Sequence, residues 1–574
     1  MDRLFKRSNS IKWFKLDKFW DFCLDPNEKG TEEKWYENFP EKKEKMYVPA
    51  CWNNTLGLYQ YEGTAWYKTD FEITSDNIYL KFEGVANECD VYVDKKFVGH
   101  HYGGFVEFGW ELIGLGKGAH ELVVRVNNTV DLTTTIPHAI SDWYNYGGIN
   151  KSVEIREFND SYIQNTHIGY TLDGTTATLA VKANIKTLKK ITDTLEVLVD
   201  GKSVYSKEIT VDGQGEFLAD GIKLENVKLW DVKEGNLYYV TVKFGGEDLI
   251  DRTGFRTLAT KGKDILLNGK KVMITGVNRH EIHPDWGLSM PFELTKKDID
   301  IIIELNCNSI RGSHYPNSKK TLDYMDEMGI LFWEEVPLWG NRPQWAESFK
   351  NEDFINRAIT MHTEMVARDL NHPSIVFWGL HNEVDTTLPQ TREFSIRLIE
   401  TIKKLDTTRL ITFASVVGEK DICLDLVDVA SFNRYVGWYI PKTMDTLPAY
   451  VERVTSKIKE IGEKPIIMSE FGAASIKGHT GLEVMRWTEE YQAEYLKKHI
   501  ETFFGNDAFS GTYIWQFCDM NTQHEDYLMK PRGFNNKGLV SEYRLPKLAF
   551  RTVKELYKKY NPKAEEKERE FLMY

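Results

Sequence analysis

From about residue 258 onward, the chain alternates short, almost wholly apolar runs with longer amphipathic stretches. The apolar runs have the length and composition of strands that are buried on both faces. They cover 272–280, 309–314, 330–336, 375–383, 410–415, 429–435, 465–472 and 510–517. Helical patterns such as "LTKKDIDIIIEL" lie between them, and this alternation of eight strands with helices predicts a closed (β/α)₈ TIM barrel over 258–574.

The first 257 residues have a different rhythm, with short runs that alternate apolar and polar residues and turns such as "VDGQGE" between them. A period of two is typical of strands with one solvated face. Segment 1–162 fits a β jelly-roll sandwich, and segment 163–257 fits an immunoglobulin-like β-sandwich. Because no long flexible linker separates these segments, we expect a multidomain protein whose domains pack rigidly.

Composition excludes several classes of function. With a mean hydropathy of −0.44 and a net charge of −13, the chain is not expected to bind nucleic acid. No run approaches the ~20 apolar residues of a membrane span, and the first residues lack the apolar run of ~7 or more that marks a secretory signal. The six cysteines are scattered without metal-ligand spacing, which predicts reduced thiols and a cytoplasmic protein.

Two glutamates fall at the ends of predicted barrel strands, where such barrels carry their active sites. The fourth strand ends with Asn382 and Glu383, and the seventh ends near Glu470. Single glutamates at such positions often only cap helices or pair with cations, but these two strands face each other across the barrel mouth. Two opposed carboxylates are what glycoside hydrolysis requires. We therefore expect a glycoside hydrolase site here.

The two glutamates would divide the chemistry between them. Glu470 would stay ionised and attack the anomeric carbon, while Glu383, kept protonated by the nearby negative charge, would protonate the leaving oxygen. After Glu470 is esterified, the pKa of Glu383 falls and Glu383 activates water. Asn382 is expected to hydrogen-bond the sugar 2-OH. A carboxyl separation of ~5–5.5 Å would give retention of configuration.

Several longer motifs together resemble glycoside hydrolase family 2. They are "LLNGKKVMITGVNRHE", "SHYP", "ARDLNHPSIVFWGLHNE", "NRYVGWY" and "PIIMSEFG", with "GHHYGGF" and "HELVVRVNN" upstream. The similarity covers essentially the whole chain in the right order. It implies the jelly-roll, immunoglobulin-like and barrel arrangement, and a retaining mechanism that uses Glu383 and Glu470.

The resemblance also implies an acidic sugar, because two segments look like those of the family's β-glucuronidases. In the loop 520–545, Asn535 and Lys537 match a motif that holds the C6 carboxylate. A fixed cation and an amide donor distinguish a carboxylate from CH₂OH. Arg532, one position off a strict alignment, is expected to assist, and with Lys530 it would offset the acidic field of the chain.

By the same resemblance, further side chains are expected to contact the sugar. They are Asp142, His280, Asn433, Tyr435, Tyr439 and Trp515. For Asp142, the alternative is an ordinary turn aspartate. The run "RHEIH" does not have the HExxH spacing of a zinc helix, so no metal site is predicted. Of Glu334 and Glu335, which end the third strand, at least one is expected to support the site.

The expected function is therefore that of a retaining exo-β-glucuronidase. The alternatives are a β-galacturonidase or a dual uronidase, then a neutral-sugar β-galactosidase of the same family, and, in a different class, a non-catalytic carbohydrate-binding protein. No cofactor is expected for catalysis. The resemblance leaves open an accessory flavin nucleotide (FMN), which no glycine-rich phosphate motif predicts, and implies a homodimer or homotetramer.

Overall fold

The computed structural model describes residues 3–340, 343–439, 443–522 and 530–561. Two all-β domains precede a closed barrel of eight parallel strands, β21 to β28 in the chain order given below. The predicted fold class is confirmed.

The N-terminal domain is a sandwich of two antiparallel sheets, ordered β1-β10-β5-β8 and β3-β2-β4-β9-β6-β7. Its strands are β1 Lys12–Lys15, β2 Lys18–Asp25, β3 Glu44–Val48, β4 Thr64–Ile73, β5 Asn77–Phe82, β6 Glu88–Val93, β7 Lys96–Tyr102, β8 Phe108–Leu112, β9 Gly118–Asn127 and β10 Val153–Phe158. The apolar residues of each strand meet between the sheets, with Trp20, Tyr67 and Leu80 fully buried. This is the jelly-roll layer that the period of two predicts.

The second domain is a smaller sandwich of immunoglobulin type, with sheets β11-β12-β15 and β14-β13-β16-β17. Its strands are β11 Ser161–Asp173, β12 Thr176–Thr187, β13 Ile191–Val199, β14 Lys202–Val211, β15 Gln214–Leu224, β16 Tyr238–Phe244 and β17 Glu247–Thr253. In β12, every second side chain is buried in the core and the others are half-buried, as a sheet with one packed face requires.

The barrel strands match the predicted apolar runs. A three-stranded sheet comes first in the chain, with strands β18 Leu258–Lys261, β19 Asp264–Leu267 and β20 Lys270–Val272. The barrel strands are β21 Ile274–Asn278, β22 Ser309–Gly312, β23 Leu331–Glu335, β24 Ile375–Asn382, β25 Leu410–Ser415, β26 Ala430–Asn433, β27 Ile466–Phe471 and β28 Phe509–Ile514. Every residue of these eight strands is buried. Large side chains such as Trp333, Phe377 and Tyr513 fill the barrel interior, so it is a packed core.

The outer helices are α1 Phe292–Glu304, α2 Lys319–Met328, α3 Glu352–Asp369, α4 Pro389–Leu405, α5 Leu447–Ile461, α6 Glu489–Phe504 and α7 Leu548–Tyr560. Local sequence sets their ends: Ser318 caps α2 by accepting the N–H of Thr321, and Gly329 ends it with a φ of 64°. Residues 416–429, all of them described, hold two 3-10 turns in place of a helix between β25 and β26.

Polar contacts lock the domains together. Arg256, at the end of the immunoglobulin-like domain, donates to the carbonyl of Pro373 over 2.6 Å, and Trp230 donates to the carbonyl of Asp326 over 2.8 Å. On the jelly-roll side, Arg368 of the barrel donates to the carbonyl of Phe105 over 3.0 Å. Each bond satisfies a buried donor, so the domains are in direct contact with the barrel. Among the described helices, none combines the length and apolarity needed to cross a membrane.

Candidate active site

The two predicted catalytic glutamates lie at the carboxyl end of the barrel. Glu383 directly follows β24, and Glu470 is the penultimate residue of β27. Glu383 has a φ of 54°, a left-handed conformation that is costly for a residue with a Cβ. Its N–H donates to the carbonyl of Ala414 over 2.9 Å, which helps to hold this geometry. Backbone strain of this kind clusters at functional positions.

A buried arginine from β22 connects the two sides of the site. Arg311 donates from Nη1 to Oε1 of Glu470 over 2.8 Å and from Nη2 to Oδ1 of Asn382 over 2.7 Å. Its Nε and Nη2 pair with both oxygens of Glu335 at 3.0 and 2.9 Å. One guanidinium therefore fixes the positions of a catalytic candidate and its neighbour, and Glu335 supports it, as expected for one of the two glutamates that end β23.

Asn433 performs the same bridging on the opposite side. Its Nδ2 donates to Oδ1 of Asn382 and to Oε1 of Glu383, each over 3.0 Å, while its Oδ1 accepts from the hydroxyl of Ser469 over 2.7 Å. The Nδ2 group of Asn382 is buried and has no partner among the described residues. That amide donor is therefore available to a substrate hydroxyl, and the contact with the sugar 2-OH stays a prediction.

Tyr435 contacts Glu470 directly. Its hydroxyl donates to Oε2 of Glu470 over 2.7 Å, while Arg311 holds Oε1. Both oxygens of Glu470 are thus hydrogen-bonded, and its carboxylate has one orientation. The sequence predicted a contact between Tyr435 and the sugar, but not this hydrogen bond to Glu470.

Burial controls the protonation of both glutamates. Desolvation raises the pKa of Glu383 to about 7, with the charge of Glu470 as the next cause. The prediction gave the neighbouring charge as the reason, so burial replaces it as the main one. Burial also raises the pKa of Glu470 above its ordinary value, against the opposing effects of Arg311 and Tyr435.

Aromatic side chains form one wall of the site. Trp515, the residue after β28, stacks on His314 with ring centroids 5.1 Å apart and meets His280 edge-on at 5.5 Å. His280 contacts the hydroxyl of Tyr315 through Nδ1 over 3.3 Å, while its buried Nε2 has no partner among the described residues. Burial lowers the pKa of His280 well below its usual value, so it is neutral.

The predicted carboxylate clamp is a buried cation with aromatic neighbours. Lys537 is 4% exposed, and its ammonium donates to the hydroxyl of Tyr439 over 2.7 Å. It also lies 4.8–5.9 Å from the ring centroids of Tyr435, Trp438 and Tyr439. Within the described ranges, no carboxylate forms an ion pair with it. Asn535, which is 1% exposed, accepts the backbone N–H of Lys537 over 3.3 Å.

A jelly-roll residue reaches this clamp. Asp142 accepts from Nδ2 of Asn535 over 2.8 Å and forms an ion pair with Lys530. The guanidinium of Arg532 instead pairs with Glu542, at 2.6 Å, and its side chain is 41% exposed. The structure therefore brings Asp142, Asn535 and Lys530 together, and it does not bring Arg532 to them.

The loop that carries the clamp has more structure than expected. Within the predicted loop 520–545, residues 523–529 lie outside the described part. Strand β29 Met520–Asn521 pairs with β30 Phe534–Asn535, and a 3-10 turn covers Pro531–Gly533. A Cβ at Gly538 would come within 2.2 Å of the amide nitrogen of Asp519, so this close approach needs glycine. Lys547 donates to the carbonyls of Asn536 and Ser475 and to Asp519, which ties the loop to the barrel.

Sequence reasoning missed the role of Arg311 and singled out Arg532 over Lys530. The signal for Arg311 was present in "SIRGSH", because an arginine inside an apolar barrel strand needs a carboxylate partner. The pairing of Lys530 with Asp142 had no such signal, because the two residues lie far apart in the chain and meet only through the packing of two domains.

One group of side chains within the described ranges has metal-ligand spacing: Asp323, Asp326 and His372. Both oxygens of Asp323 accept from Arg3, and His372 contacts Asp326 over 2.6 Å. The group is an ion-pair network between the N-terminus and the barrel.

An eight-stranded α/β barrel with two glutamates at its catalytic end, an amide beside one of them and an aromatic wall defines a glycoside hydrolase. Three descriptions of one family match the chain: "Glycosyl hydrolases family 2, sugar binding domain" over 13–158, "Glycosyl hydrolases family 2" over 161–256, and "Glycosyl hydrolases family 2, TIM barrel domain" over 258–561. The chain belongs to glycoside hydrolase family 2, whose glycosidases need no cofactor for catalysis.

Three named relatives align with nearly the whole chain. A solved β-galacturonidase of family 2 from Eisenbergiella tayi, bound to galacturonate, is 33% identical, with a TM-score of 0.90 over 97% of this chain and 99% of its own. A solved β-glucuronidase from Ruminococcus gnavus is 26% identical, with a TM-score of 0.87 over 97% and 99%. A β-glucuronidase from Paenibacillus borealis is 27% identical over 94% of this chain and 96% of its own.

Proposed function

We propose that the protein is a retaining exo-β-glucuronidase that removes terminal β-D-glucuronic acid from glucuronides. The observation that carries this proposal is the buried ammonium of Lys537, which has an aromatic surround and no carboxylate partner among the described residues. A buried cation without an anion is costly. A substrate carboxylate at C6 would supply the missing charge, with Asn535 beside it as an amide donor. Glucuronidases among the relatives support the same substrate class.

In the proposed mechanism, Glu470 is the nucleophile. Arg311 and Tyr435 each hold one of its oxygens, which orients the carboxylate and favours its charged form. Attack on the anomeric carbon forms a glycosyl ester with Glu470, and the bond to the leaving oxygen breaks. Glu383 then takes a proton from water, which attacks the anomeric carbon. The bond to Glu470 breaks, Glu470 leaves as a carboxylate, and this second inversion releases the sugar with its original configuration.

Glu383 is proposed as the acid and then the base. With a pKa raised to about 7, it holds a proton at and below neutral pH and donates it to the leaving oxygen. Esterification of Glu470 removes the neighbouring negative charge, which lowers the pKa of Glu383. Asn433 holds the Glu383 carboxyl by a 3.0 Å hydrogen bond, so the same group is in place to take a proton from water.

The clamp is proposed to include more than the predicted pair. Lys537 and Asn535 would bind the C6 carboxylate, with the hydroxyl of Tyr439 orienting the ammonium. Lys530 would offset the charge of Asp142, which otherwise faces the incoming carboxylate. Arg532 would act indirectly, by pairing with Glu542 and holding the loop.

A second candidate function is hydrolysis of β-galacturonides. The observation that favours it is the 33% identity to the β-galacturonidase of Eisenbergiella tayi, against 26% for the Ruminococcus gnavus β-glucuronidase. The two sugars share the C6 carboxylate and differ in the configuration at C4, so the same clamp would hold either one.

A rate comparison on 4-nitrophenyl β-glucuronide, β-galacturonide, β-glucoside and β-galactoside tests both proposals. We expect kcat/KM to be highest on the glucuronide and at least ~100-fold lower on the β-glucoside, because the buried cation then has no counter-ion. Preference for the galacturonide would select the second candidate. Equal rates on acidic and neutral sugars would disprove the clamp. Proton NMR of the first-formed anomer tests retention.

The setting proposed for the enzyme is a reducing compartment such as the cytoplasm. In support, all six cysteines are free thiols, and five of them are buried. The homodimer or homotetramer implied by the family resemblance stays a prediction, which sedimentation velocity on the purified chain would test.

A further inference from the structure

A cavity of about 150 Å³ lies between the jelly-roll domain and the barrel. One water needs roughly 10–15 Å³ by this measure, so the cavity has room for a molecule much larger than water. Its wall includes Glu83, Phe105 and Asn150 from the jelly roll and Glu281, Ser289 and Tyr315 from the barrel. Other lining residues, such as Met290 and Phe292, are half-buried, so the cavity is within reach of solvent. None of the residues proposed above for catalysis or for the clamp lines it.

The side-chain amide of Asn150, in this wall, is not hydrogen-bonded to any described residue. Asn150 is 1% exposed, and neither its Nδ2 nor its Oδ1 has a hydrogen-bond partner among the described residues. Buried amides are almost always paired. Asn53 of the same domain shows the usual state: its Oδ1 accepts from Gly147 over 2.8 Å, and its Nδ2 donates to the carbonyl of Tyr59 over 3.0 Å. An adjacent free donor and acceptor fit a hydroxyl group, which both donates and accepts.

The charge of the wall favours a neutral ligand. Of its five cations, four are paired with carboxylates and only Lys320 lacks a described ion pair. The pairs are Lys15 with Glu154 at 3.7 Å, Lys151 with Glu281 at 3.4 Å, Lys319 with Glu107 at 2.5 Å and Arg368 with Asp369 at 2.6 Å. Lys320 is only half-buried, whereas Lys537 of the clamp, which also has no described carboxylate partner, is buried, so an anion would gain less here than at the clamp.

An aromatic pair lies between this cavity and the sugar pocket. Phe105 stacks on Tyr315 with centroids 4.2 Å apart and planes 10° apart. The hydroxyl of Tyr315 contacts Nδ1 of His280, which faces the aromatic wall of the active site. Apolar ring faces beside polar groups suit molecules that carry both C–H and hydroxyl groups.

We propose that this cavity is a second binding site, for a neutral polyhydroxylated molecule of monosaccharide size. Asn150 would bind one of its hydroxyls, and the carbon skeleton would rest on Phe105 and Tyr315. The site is separate from the active site but in contact with it through Tyr315 and His280. The proposal does not depend on which sugar the enzyme hydrolyses.

Isothermal titration of the full chain with D-glucose, D-xylose and glycerol tests the proposal. We expect saturable binding of the two sugars with Kd of about 1–10 mM, the affinity that ~0.3 kcal/mol per heavy atom gives. Asn150→Leu should weaken this binding about tenfold or more, because two hydrogen bonds are lost. Lys537→Ala should leave it unchanged.

The reverse pattern, with binding lost in Lys537→Ala and kept in Asn150→Leu, would show that the sugars occupy only the active site and would overturn the proposal. So would the absence of saturable binding to the wild type, or preferential binding of inorganic phosphate at Asn150. Thermal unfolding provides the control: Asn150→Leu should not lower Tm, whereas Asn53→Leu should, because only Asn53 loses hydrogen bonds. If Asn150→Leu does not fold, Asn150→Asp removes the donor while keeping the shape.

Discussion

The reaction centre and the carboxylate clamp lie side by side but are built in opposite ways. In the reaction centre, side chains at strand ends hold both glutamates in place: Arg311 holds Glu470, and Asn433 holds Glu383. In the clamp, Lys537 has no described carboxylate, and Asn535 is held from another domain by Asp142. The chemistry is thus preorganised by partners already present, whereas in the proposed function selectivity comes from a charge left for the substrate. Mutations in the reaction centre should therefore lower activity on every substrate, whereas mutations in the clamp should lower activity on acidic sugars alone.

The largest effect is expected for Glu470→Gln. Without a nucleophile, kcat/KM should fall about 10⁴-fold or more on every substrate, acidic or neutral, while the protein stays folded. Steady-state rates and circular dichroism measure the two outcomes. Glu452→Gln, an exposed change of the same kind on α5, is the matched control. Retained hydrolysis would remove Glu470 from the proposed role.

Lys537→Ala should impair binding of the substrate carboxylate and leave the reaction centre intact. We expect kcat/KM on the β-glucuronide to fall at least ~100-fold, because one member of a desolvated ion pair is lost at a cost of roughly 3–5 kcal/mol. The low rate on the β-glucoside should not fall. Lys403→Ala, on the exposed face of α4, makes the same change in net charge and should have no effect. An equal loss on both substrates would place Lys537 in the reaction centre.

The pH profile should report the reaction centre. Glu383 must be protonated to act as the acid, and its pKa is raised to about 7, so kcat/KM should fall about tenfold per pH unit above that value. On the acidic side, activity should fall as Glu470 gains a proton, above the ordinary glutamate range. The leaving group of a 2,4-dinitrophenyl glucuronide needs little protonation. For this substrate, kcat/KM should therefore decrease much less at alkaline pH. Identical profiles for the two leaving groups would contradict the role of Glu383.

The smallest effects should distinguish the two other cations of the clamp loop. Lys530→Ala leaves Asp142 facing the substrate carboxylate, so kcat/KM on the glucuronide should fall about tenfold. Arg532→Ala removes a partly exposed ion pair with Glu542, typically worth 0.2–1 kcal/mol, and a 2.8 Å hydrogen bond to Asn536. Both lie away from Asp142, so kcat/KM should fall less than about fivefold. Adding Asp142→Asn to Lys530→Ala should recover part of the loss. No recovery would show that Lys530 does not act through Asp142.

Much of the architecture could be predicted because it depends on local patterns. Apolar runs located the barrel strands within a few residues, and the positions of Glu383 and Glu470 at strand ends followed from their order. The period of two was enough to predict both β-sandwiches. These features depend only on the pattern of residues that are close together in the sequence, so the sequence is enough to predict them.

What could not be predicted depends on distances across the fold. Arg311 and Tyr435 each hold an oxygen of Glu470, but nothing in their own segments indicates which carboxylate they reach. Arg532 and Lys530 are equally cationic in the sequence, and only the 3-10 turn at Pro531–Gly533 directs one to Glu542 and the other to Asp142. Burial of Glu383, the main cause of its raised pKa, is likewise a property of the assembled barrel.

The anchoring of the clamp loop has a consequence for how such enzymes diverge. Lys547 ties the loop to the barrel by donating to the backbone carbonyl of Asn536 in the loop, at 3.0 Å, and to that of Ser475 after β27, at 2.7 Å, and not through the side chains at positions 535 and 537. Substitutions at those two positions leave this anchor in place. Under the proposed function, a few point mutations at these positions would therefore change the sugar preference while the loop anchor and the reaction centre stay in place.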